Sequence, residues 1–137
     1  MPKDFKKTVH NFYGELGHAY RTKELNPAKL HLDEDANLYG VTEFFEGKKE
    51  IIKMYSKLVY LLQEQNILHQ YFEHESCCSI FRNRSMIPEM YIKSAERIVV
   101  REGHIVEIHV IYDTQTWQRL VELLQNLNSS TSFFKNT

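Results

Sequence analysis

The chain has 137 residues, of which 42% are hydrophobic and 12% aromatic, and this size allows one well-packed domain. Seventeen Lys and Arg residues balance eighteen Asp and Glu residues, so the formal net charge is -1. The chain therefore lacks the positive surplus typical of proteins that bind nucleic acids or membrane surfaces, and we expect neither partner. The apolar runs are far shorter than the roughly 20 residues that cross a bilayer, and we expect no membrane-spanning helix.

The N-terminus and the two cysteines favour a cytoplasmic protein. Residues 1–4 run into charged, helix-like sequence without the apolar segment and cleavage site of a secretory signal. Cys77 and Cys78 are adjacent, a spacing that makes a strained disulfide and lacks the second pair of a zinc site. We expect both to be reduced thiols on a strand.

The first half of the chain predicts three helices and a short strand. Asn26 and Pro27, a cap followed by a proline at the first helical position, predict a short helix through Leu30. Residues 36–41 predict a strand, and Gly47 precedes a further helix. After Asp4, apolar residues at helical spacing predict a first helix to about residue 20: Phe5, Val9, Phe12, Leu16 and Ala19. The helix after Gly47 has its own apolar face: Ile51, Ile52, Tyr55, Leu58, Val59 and Leu62.

The second half changes to the period of β-strands. Five strands are predicted, over residues 67–74, 77–81, 87–92, 95–101 and 104–112. Glu102 and Gly103 predict a two-residue turn between the last two strands, and Asp113 caps a final helix. Helices segregated from an antiparallel sheet define an α+β fold. We expect one domain over residues 1–127, followed by a tail, residues 128–137, that frays.

Three local signatures occur in a characteristic order along the chain. They are residues 32–36 before the first strand, residues 45–51 at the start of the long helix, and residues 103–108 leading to Tyr112 and Asp113. With the order of elements, they make nearly the whole chain resemble the nuclear transport factor 2-like superfamily, in particular its SnoaL-like branch. The resemblance implies a cone-shaped, strongly curved antiparallel sheet wrapped around a long helix, with N-terminal and short C-terminal helices. It also implies a pocket for a small apolar ligand, and a homodimer formed through the outer face of the sheet.

The resemblance does not imply one reaction, because this fold supports many unrelated functions. Members similar to ketosteroid isomerase place an Asp base just after the first strand, at the position of Gly40 in this chain. Tyr13 lies where those members keep a phenol that hydrogen-bonds an oxyanion. Members similar to limonene-epoxide hydrolase need an Arg and an Asp two residues apart on a strand, and neither Arg97 nor Arg101 has such a partner. If the protein is an enzyme, we expect an isomerase or lyase whose acid and base are unassigned.

The two-residue turn at Glu102 and Gly103 sets the register predicted for the last two strands. Arg101 would pair with His104, and Glu96 would then face His109. The more apolar face, which we assign to the concave side, contains Ala95, Val99, Val106, Ile108, Val110 and Tyr112 together with Lys93 and Arg97. The opposite face contains Glu96, Glu107, His109 and Asp113, and we interpret it as a polar surface that faces solvent or a dimer partner. The alternative for that face is an acid–base set of Glu96 and His109.

Arg97 on an apolar face leads to a specific hypothesis about the ligand. A guanidinium is costly to bury alone, so Arg97 should reach a rim, form an ion pair, or bind a carboxylate or carbonyl group of a ligand. Phenol and imidazole groups provide the polar ends of apolar pockets. The complete set of pocket-lining candidates is therefore Tyr13, Tyr39, His69, Tyr91, Arg97 and Tyr112. The seven histidines lack the spacing of metal ligands, and we expect no metal and no cofactor.

Two functions remain open at this point. The first is a SnoaL-like binding protein for a small apolar or aromatic molecule, with or without a carbonyl or carboxylate group, which either only binds this molecule or is an isomerase-, cyclase- or hydratase-like enzyme with an unassigned acid and base. The alternative is a non-enzymatic protein-interaction module that uses the sheet face or the mouth of the cone. A deep cavity with buried polar groups would favour the first, and a collapsed cone with a large exposed apolar patch would favour the second.

Overall fold

The computed structural model describes residues 3–127. Within that range the chain forms three α-helices, one short 3₁₀-helix and a single six-stranded sheet, which confirms the α+β class. In chain order the elements are α1 (Lys3–Thr22), the 3₁₀-helix (Pro27–Leu30), β1 (Leu32–Tyr39), β2 (Phe44–Glu46), α2 (Lys48–Leu58), β3 (Leu62–Glu73), β4 (Ser76–Ser85), β5 (Tyr91–Arg101), β6 (His104–Tyr112) and α3 (Thr114–Leu127). The predicted tail, residues 128–137, lies outside the described residues.

The strands are ordered β2-β1-β6-β5-β4-β3 in a curved, unclosed sheet. Strands β1 and β6 pair in parallel and all other neighbours pair antiparallel, so the sheet is mixed rather than wholly antiparallel as predicted. Residues 40–103, nearly half of the chain, lie between β1 and β6, and so long a connection allows the two strands to run in the same direction. Helix α1 packs against β3 and β5, whereas α2 packs against β1 and β2.

Helix α1 is the longest helix and buries one continuous face in the core. The predicted face is confirmed, since each of its five residues is at most 2% exposed: Phe5, Val9, Phe12, Leu16 and Ala19. Beyond the helix, the Lys23 ammonium donates hydrogen bonds to the main-chain oxygens of Val59, at 2.8 Å, and Leu62, at 2.6 Å. Lys23 therefore connects the end of α1 to the segment that joins α2 to β3. No helix in the described range is long and apolar enough to span a bilayer.

Three local predictions were wrong. Helix α2 ends at Leu58 instead of continuing to Leu62, because Leu62 already begins β3 while remaining buried in the same core. Phe44–Glu46 forms the short strand β2, which the sequence pattern does not predict. Residues 86–90 form a turn, closed by a hydrogen bond from the amide of Met90 to the carbonyl of Ile87, instead of the start of a strand. In each case the apolar residues continue from one element into the next, so their periodicity does not mark the turn between the two elements.

A β-bulge changes the register of β5 and β6. Arg101 pairs with His104, as predicted, and Val100 pairs with Ile105. Val99 then pairs with Glu107, so one residue of β6, Val106, is left over. Beyond this bulge, each residue of β5 pairs with the residue of β6 one position later than predicted. Residues of β5 that were predicted for one face of the sheet therefore lie on the other.

The predicted faces of β5 were therefore wrong. Glu96 pairs with Val110 rather than with His109, and it lies on the concave side with only 5% of its surface exposed. Arg97 and Lys93 are exposed on the other side of the sheet, which we call the outer face. The outer face also carries Ile80 and Ile111, which lie in one row with His69 and Ala95 across β3 to β6.

Candidate functional site

A cavity of about 330 Å³ lies between the concave face of the sheet and the three helices. Most of its wall is apolar: Leu16, Leu38, Phe45, Met54, Leu58, Leu62, Phe81, Ile92, Val110 and Trp117. Its polar lining consists of Tyr20, Glu43, Tyr55, Gln65, Asn83, Ser94, Glu96 and Tyr112, beside Gly40. None of these lining residues is a Lys, Arg or His. An apolar space with a few polar groups is the usual form of a small-molecule site.

Glu96 on β5 is the most deeply buried acid in this wall. Its Oε1 atom accepts a hydrogen bond of 2.7 Å from the hydroxyl of Tyr13 on α1. Burial raises the pKa of Glu96 to about 7, because the charged form is poorly solvated there, and the hydrogen bond from Tyr13 opposes this rise. Both the neutral and the charged forms of Glu96 are therefore populated near neutral pH.

Tyr13 belongs to a buried polar network that keeps its proton. Burial raises the pKa of Tyr13 far above its usual range, and the charge of Glu96 raises it further. A hydrogen bond with Ser79 opposes the rise, and Ser79 in turn accepts a hydrogen bond of 3.1 Å from Gln70. Tyr13 therefore remains a hydrogen-bond donor, oriented toward Glu96.

A second pair of carboxylate and phenol groups occupies the same cavity wall. The hydroxyl of Tyr112 on β6 lies 2.7 Å from each carboxylate oxygen of Glu43. Burial and the Glu43 carboxylate raise the pKa of Tyr112 above its usual range. The indole of Trp117 on α3 packs edge-on against the Tyr112 ring, with centroids 6.3 Å apart. Glu43 is thus held at a fixed place in the wall.

Asn83 on β4 contributes a buried acceptor. Its side-chain oxygen has no hydrogen-bond partner among the described residues, although the residue is only 6% exposed. An unsatisfied buried acceptor costs about 1–3 kcal/mol, so a donor inside the cavity would gain that amount by binding to it.

Only two of the six residues predicted for the pocket contribute to it. Tyr112 lines the cavity, and Tyr13 lies behind the wall, where it holds Glu96. The other four lie on the outer face of the sheet because of their strand register: Tyr39, His69, Tyr91 and Arg97. Tyr39 stacks on His109 at 4.6 Å, His69 on Tyr71 at 6.4 Å, and the guanidinium of Arg82 lies 4.5 Å from the centre of the Tyr91 ring.

Sequence reasoning missed Glu43 and placed Glu96 on the wrong face. A bulge in an otherwise regular strand has no clear local signal, and Glu43 reaches the cavity through the conformation of a turn. Among residues 3–127, no group of three or more His, Cys, Asp or Glu side chains is arranged to hold a metal ion. Cys77 is buried, Cys78 is exposed, and both are free thiols.

No family model and no curated protein sequence matches this chain. Solved structures do match it over nearly its whole length. A steroid delta-isomerase from Pseudomonas aeruginosa superposes with a TM-score of 0.72, with 16% identity and 95% of each chain covered. A nuclear transport factor 2-like protein from Burkholderia xenovorans gives a TM-score of 0.67 at 14% identity, covering 88% of this chain and 97% of its own.

The chain has the nuclear transport factor 2-like fold. A protein from Shewanella denitrificans assigned as a SnoaL-like polyketide cyclase also shares it, with a TM-score of 0.67, 14% identity, and 88% and 98% of the two chains covered. The predicted resemblance is thereby confirmed for the fold. At such identities, the nuclear transport factor 2-like fold is the property that these structures have in common with this chain, and chemistry has to be argued from the cavity.

Proposed function

We propose that the cavity binds a small apolar or aromatic molecule that carries a carbonyl group, and that the protein transfers a proton next to that carbonyl, as isomerases and lyases do. The observation that carries this proposal is Glu96, a buried acid in the wall of an apolar cavity, hydrogen-bonded at 2.7 Å to a buried phenol. An acid in such a place costs stability, and perturbed acids in clefts are typical of functional sites.

A carbonyl ligand is favoured over a carboxylate by the charges around the cavity. The described lining residues include two acids, Glu43 and Glu96, and no cation. Arg97, the residue predicted to bind a carboxylate, is exposed on the outer face. A ligand carboxylate would therefore lose its hydration without gaining a positive partner, whereas a carbonyl needs only a hydrogen-bond donor.

Neutral Glu96 provides such a donor. A carboxylic acid kept protonated by an apolar site can donate a hydrogen bond to a carbonyl oxygen and stabilise the negative charge that develops there. Its pKa of about 7 is close to the pH at which a group serves best in proton transfer. Tyr13 occupies Oε1 of Glu96 as a donor, which orients the carboxyl group.

The structural neighbours are consistent with this class of chemistry. One is a steroid delta-isomerase and another is assigned as a polyketide cyclase. These activities belong to those proteins, and the fold alone transfers neither of them. What supports the proposal here is the combination of an apolar cavity, a buried acid in its wall and a phenol in contact with that acid.

A matched pair of ligands tests the proposal. 2-Tetralone and tetralin have the same fused-ring skeleton, but only 2-tetralone carries a carbonyl. We expect calorimetry to show that the ketone binds roughly five- to tenfold more tightly, the value of one hydrogen bond. The variant Glu96→Leu should lose this preference, while Glu107→Leu, on the neighbouring strand, should keep it. Equal affinities for the two ligands in the unmodified protein would refute the proposal.

We also propose that the protein forms a homodimer through the outer face of the sheet. The support is the amount of apolar surface there: Tyr71 is 61% exposed, Ile80 40% and Ile111 69%. Exposed apolar groups clustered on one face are typical of protein–protein contacts. The competing function, an interaction module for another protein, would use the same surface, and a dimer would occupy it.

A further inference from the structure

The position of Glu43 depends on the absence of a side chain at residue 40. Strand β1 ends at Tyr39 and pairs there with Phe44 of β2, so residues 40–43 form a tight turn. The amide of Gly40 closes this turn with a hydrogen bond of 2.9 Å to the carbonyl of Glu43. A Cβ atom on residue 40 would lie closer to Oε1 of Glu43 than such atoms can approach. The Glu43 carboxylate thus occupies the space that a side chain on residue 40 would fill.

Three contacts hold the carboxylate in that space. The Tyr112 hydroxyl lies 2.7 Å from both oxygens, and the Thr42 hydroxyl donates a hydrogen bond of 2.9 Å to Oε2. Both oxygens of Glu43 therefore accept hydrogen bonds, which fixes the orientation of the carboxylate in the cavity wall. Glu43 is half-buried, whereas Glu96 is buried. Two acids in such different environments of one cavity are suited to opposite roles in proton transfer.

We propose that Glu43 is the base that removes a proton from the ligand carbon beside the carbonyl, and that Gly40 and Tyr112 are positioning residues for it. This inference rests on the proposed function, because it assigns the proton acceptor for the same ligand. Gly40 acts by leaving room for the carboxylate, and Tyr112 acts by fixing its orientation.

An oxygen of Glu43 takes the proton from the carbon next to the carbonyl, and the electron pair of the broken C–H bond forms a carbon–carbon double bond. The π electrons of the carbonyl move to its oxygen, which takes the hydrogen bond, and then the proton, of neutral Glu96. In the reverse direction Glu43 returns a proton to the same carbon or to a conjugated one, the electrons of the carbon–carbon double bond form the new C–H bond, and the enol proton goes back to Glu96. In heavy water the proton on Glu43 exchanges with the solvent first, so the carbon receives deuterium. No oxidant, reductant or further reactant is needed.

Deuterium exchange measures this step without a known substrate. In heavy water, the protein should speed the replacement of the hydrogens beside the carbonyl of 2-tetralone, followed by proton NMR. Glu43→Gln should lower the exchange rate constant about 100-fold or more, the usual effect of losing a general base. The dissociation constant of 2-tetralone should change little, because Gln keeps the size of the side chain.

Gly40→Ala tests the positional argument, because Gly40 does not need a positive φ and alanine is therefore compatible with its backbone. The added methyl group should displace the carboxylate and lower the exchange rate constant while the ketone still binds. The double variant Gly40→Ala/Glu43→Gln should be no slower than Glu43→Gln alone. Gly14→Ala is the matched control, because a Cβ there meets nothing within 4 Å. The pKa of Tyr112, followed by carbon-13 NMR of the ring, should fall in both Glu43→Gln and Gly40→Ala.

Each result separates the two proposals. Unchanged exchange in Glu43→Gln, with the ketone still preferred over tetralin, overturns the role of Glu43 and leaves that of Glu96 intact. An unchanged Tyr112 pKa together with unchanged exchange in Gly40→Ala overturns the role of Gly40. An unmodified protein that neither prefers the ketone nor speeds exchange overturns both proposals.

Discussion

Glu96 makes the stability of the folded protein depend on pH. Burial raises its pKa from the ordinary value of 4.5 to about 7, so the folded state holds this proton more tightly than the unfolded chain does. The resulting stabilisation is complete below the unfolded pKa and is lost as the pH rises through the folded one. Charged Glu96 therefore costs on the order of 3 kcal/mol above neutral pH.

The variant Glu96→Gln removes this dependence, because Gln stays neutral and keeps an oxygen for the Tyr13 hydroxyl. We expect the free energy of unfolding of Glu96→Gln to rise relative to that of the unmodified protein between about pH 4.5 and pH 7. Urea unfolding at a series of pH values measures the difference. Two parallel stability profiles would show that Glu96 does not change its pKa on folding.

The sequence predicted the residue types of the site better than their positions. Tyr13 and Tyr112 were both assigned to the pocket, and both contact an acid of the cavity wall. Arg97 was assigned to the pocket and Glu96 to the outer face, and the bulge at Val106 exchanged them. Such a bulge depends on how β5 and β6 pack against the helices, and local sequence does not report that packing.

At the scale of elements, Lys23 links the end of α1 to the segment that joins α2 to β3. Its ammonium donates to the carbonyls of Val59 and Leu62, and burial lowers its pKa. Lys23→Met keeps the length of the side chain and loses both hydrogen bonds, so we expect a loss of about 1–3 kcal/mol in the free energy of unfolding. Lys49→Met, at an exposed position on α2, is the matched control and should cost less than about 0.5 kcal/mol. If chemical denaturation showed the same loss of unfolding free energy for Lys23→Met and Lys49→Met, this role of Lys23 would be contradicted.

Element boundaries were predictable where a local signal coincides with a change of period. Strand β6 spans His104–Tyr112 as predicted, between the turn at Gly103 and the cap at Asp113, whose carboxylate accepts a hydrogen bond of 3.0 Å from the amide of Thr116. The end of α2 has no such signal, since buried apolar residues continue into β3. The parallel pairing of β1 with β6 joins residues far apart in the chain, and periodicity contains no information about it.

At the scale of the whole molecule, the outer face predicts the state of assembly. The row of residues across β3 to β6 on the outer face includes two apolar side chains, Ile80 and Ile111, which are exposed in the single chain. We expect native mass spectrometry at micromolar concentration to detect a dimer. The double variant Ile80→Glu/Ile111→Glu should be a monomer, because burying two acids without partners in an interface costs several kcal/mol. Val41→Glu, at an exposed apolar residue in the turn after β1, should remain a dimer, and a monomeric unmodified protein would contradict the proposal.

The order of the elements was enough to predict the fold, while the chemistry of the cavity required coordinates. Patterns of helices and strands spread over the whole chain, and a few errors at their ends do not change the architecture. The wall of the cavity depends on two single residues. They are Val106, which has no pairing partner on β5, and Gly40, which has no side chain. The first changes the strand register and the second leaves room for the Glu43 carboxylate, so a comparison of single positions with enzymes of the same fold finds only a glycine at position 40.

The most direct measurement is the titration of Glu96, followed by carbon-13 NMR of its carboxyl carbon. A buried acid in an apolar cavity predicts a midpoint near pH 7, which should move higher in Tyr13→Phe, because the hydrogen bond from Tyr13 lowers the pKa of Glu96. A midpoint in the ordinary range of about 4–5 would show that Glu96 is solvated instead. That result would contradict the placement of Glu96 in the cavity and, with it, the proposed chemistry.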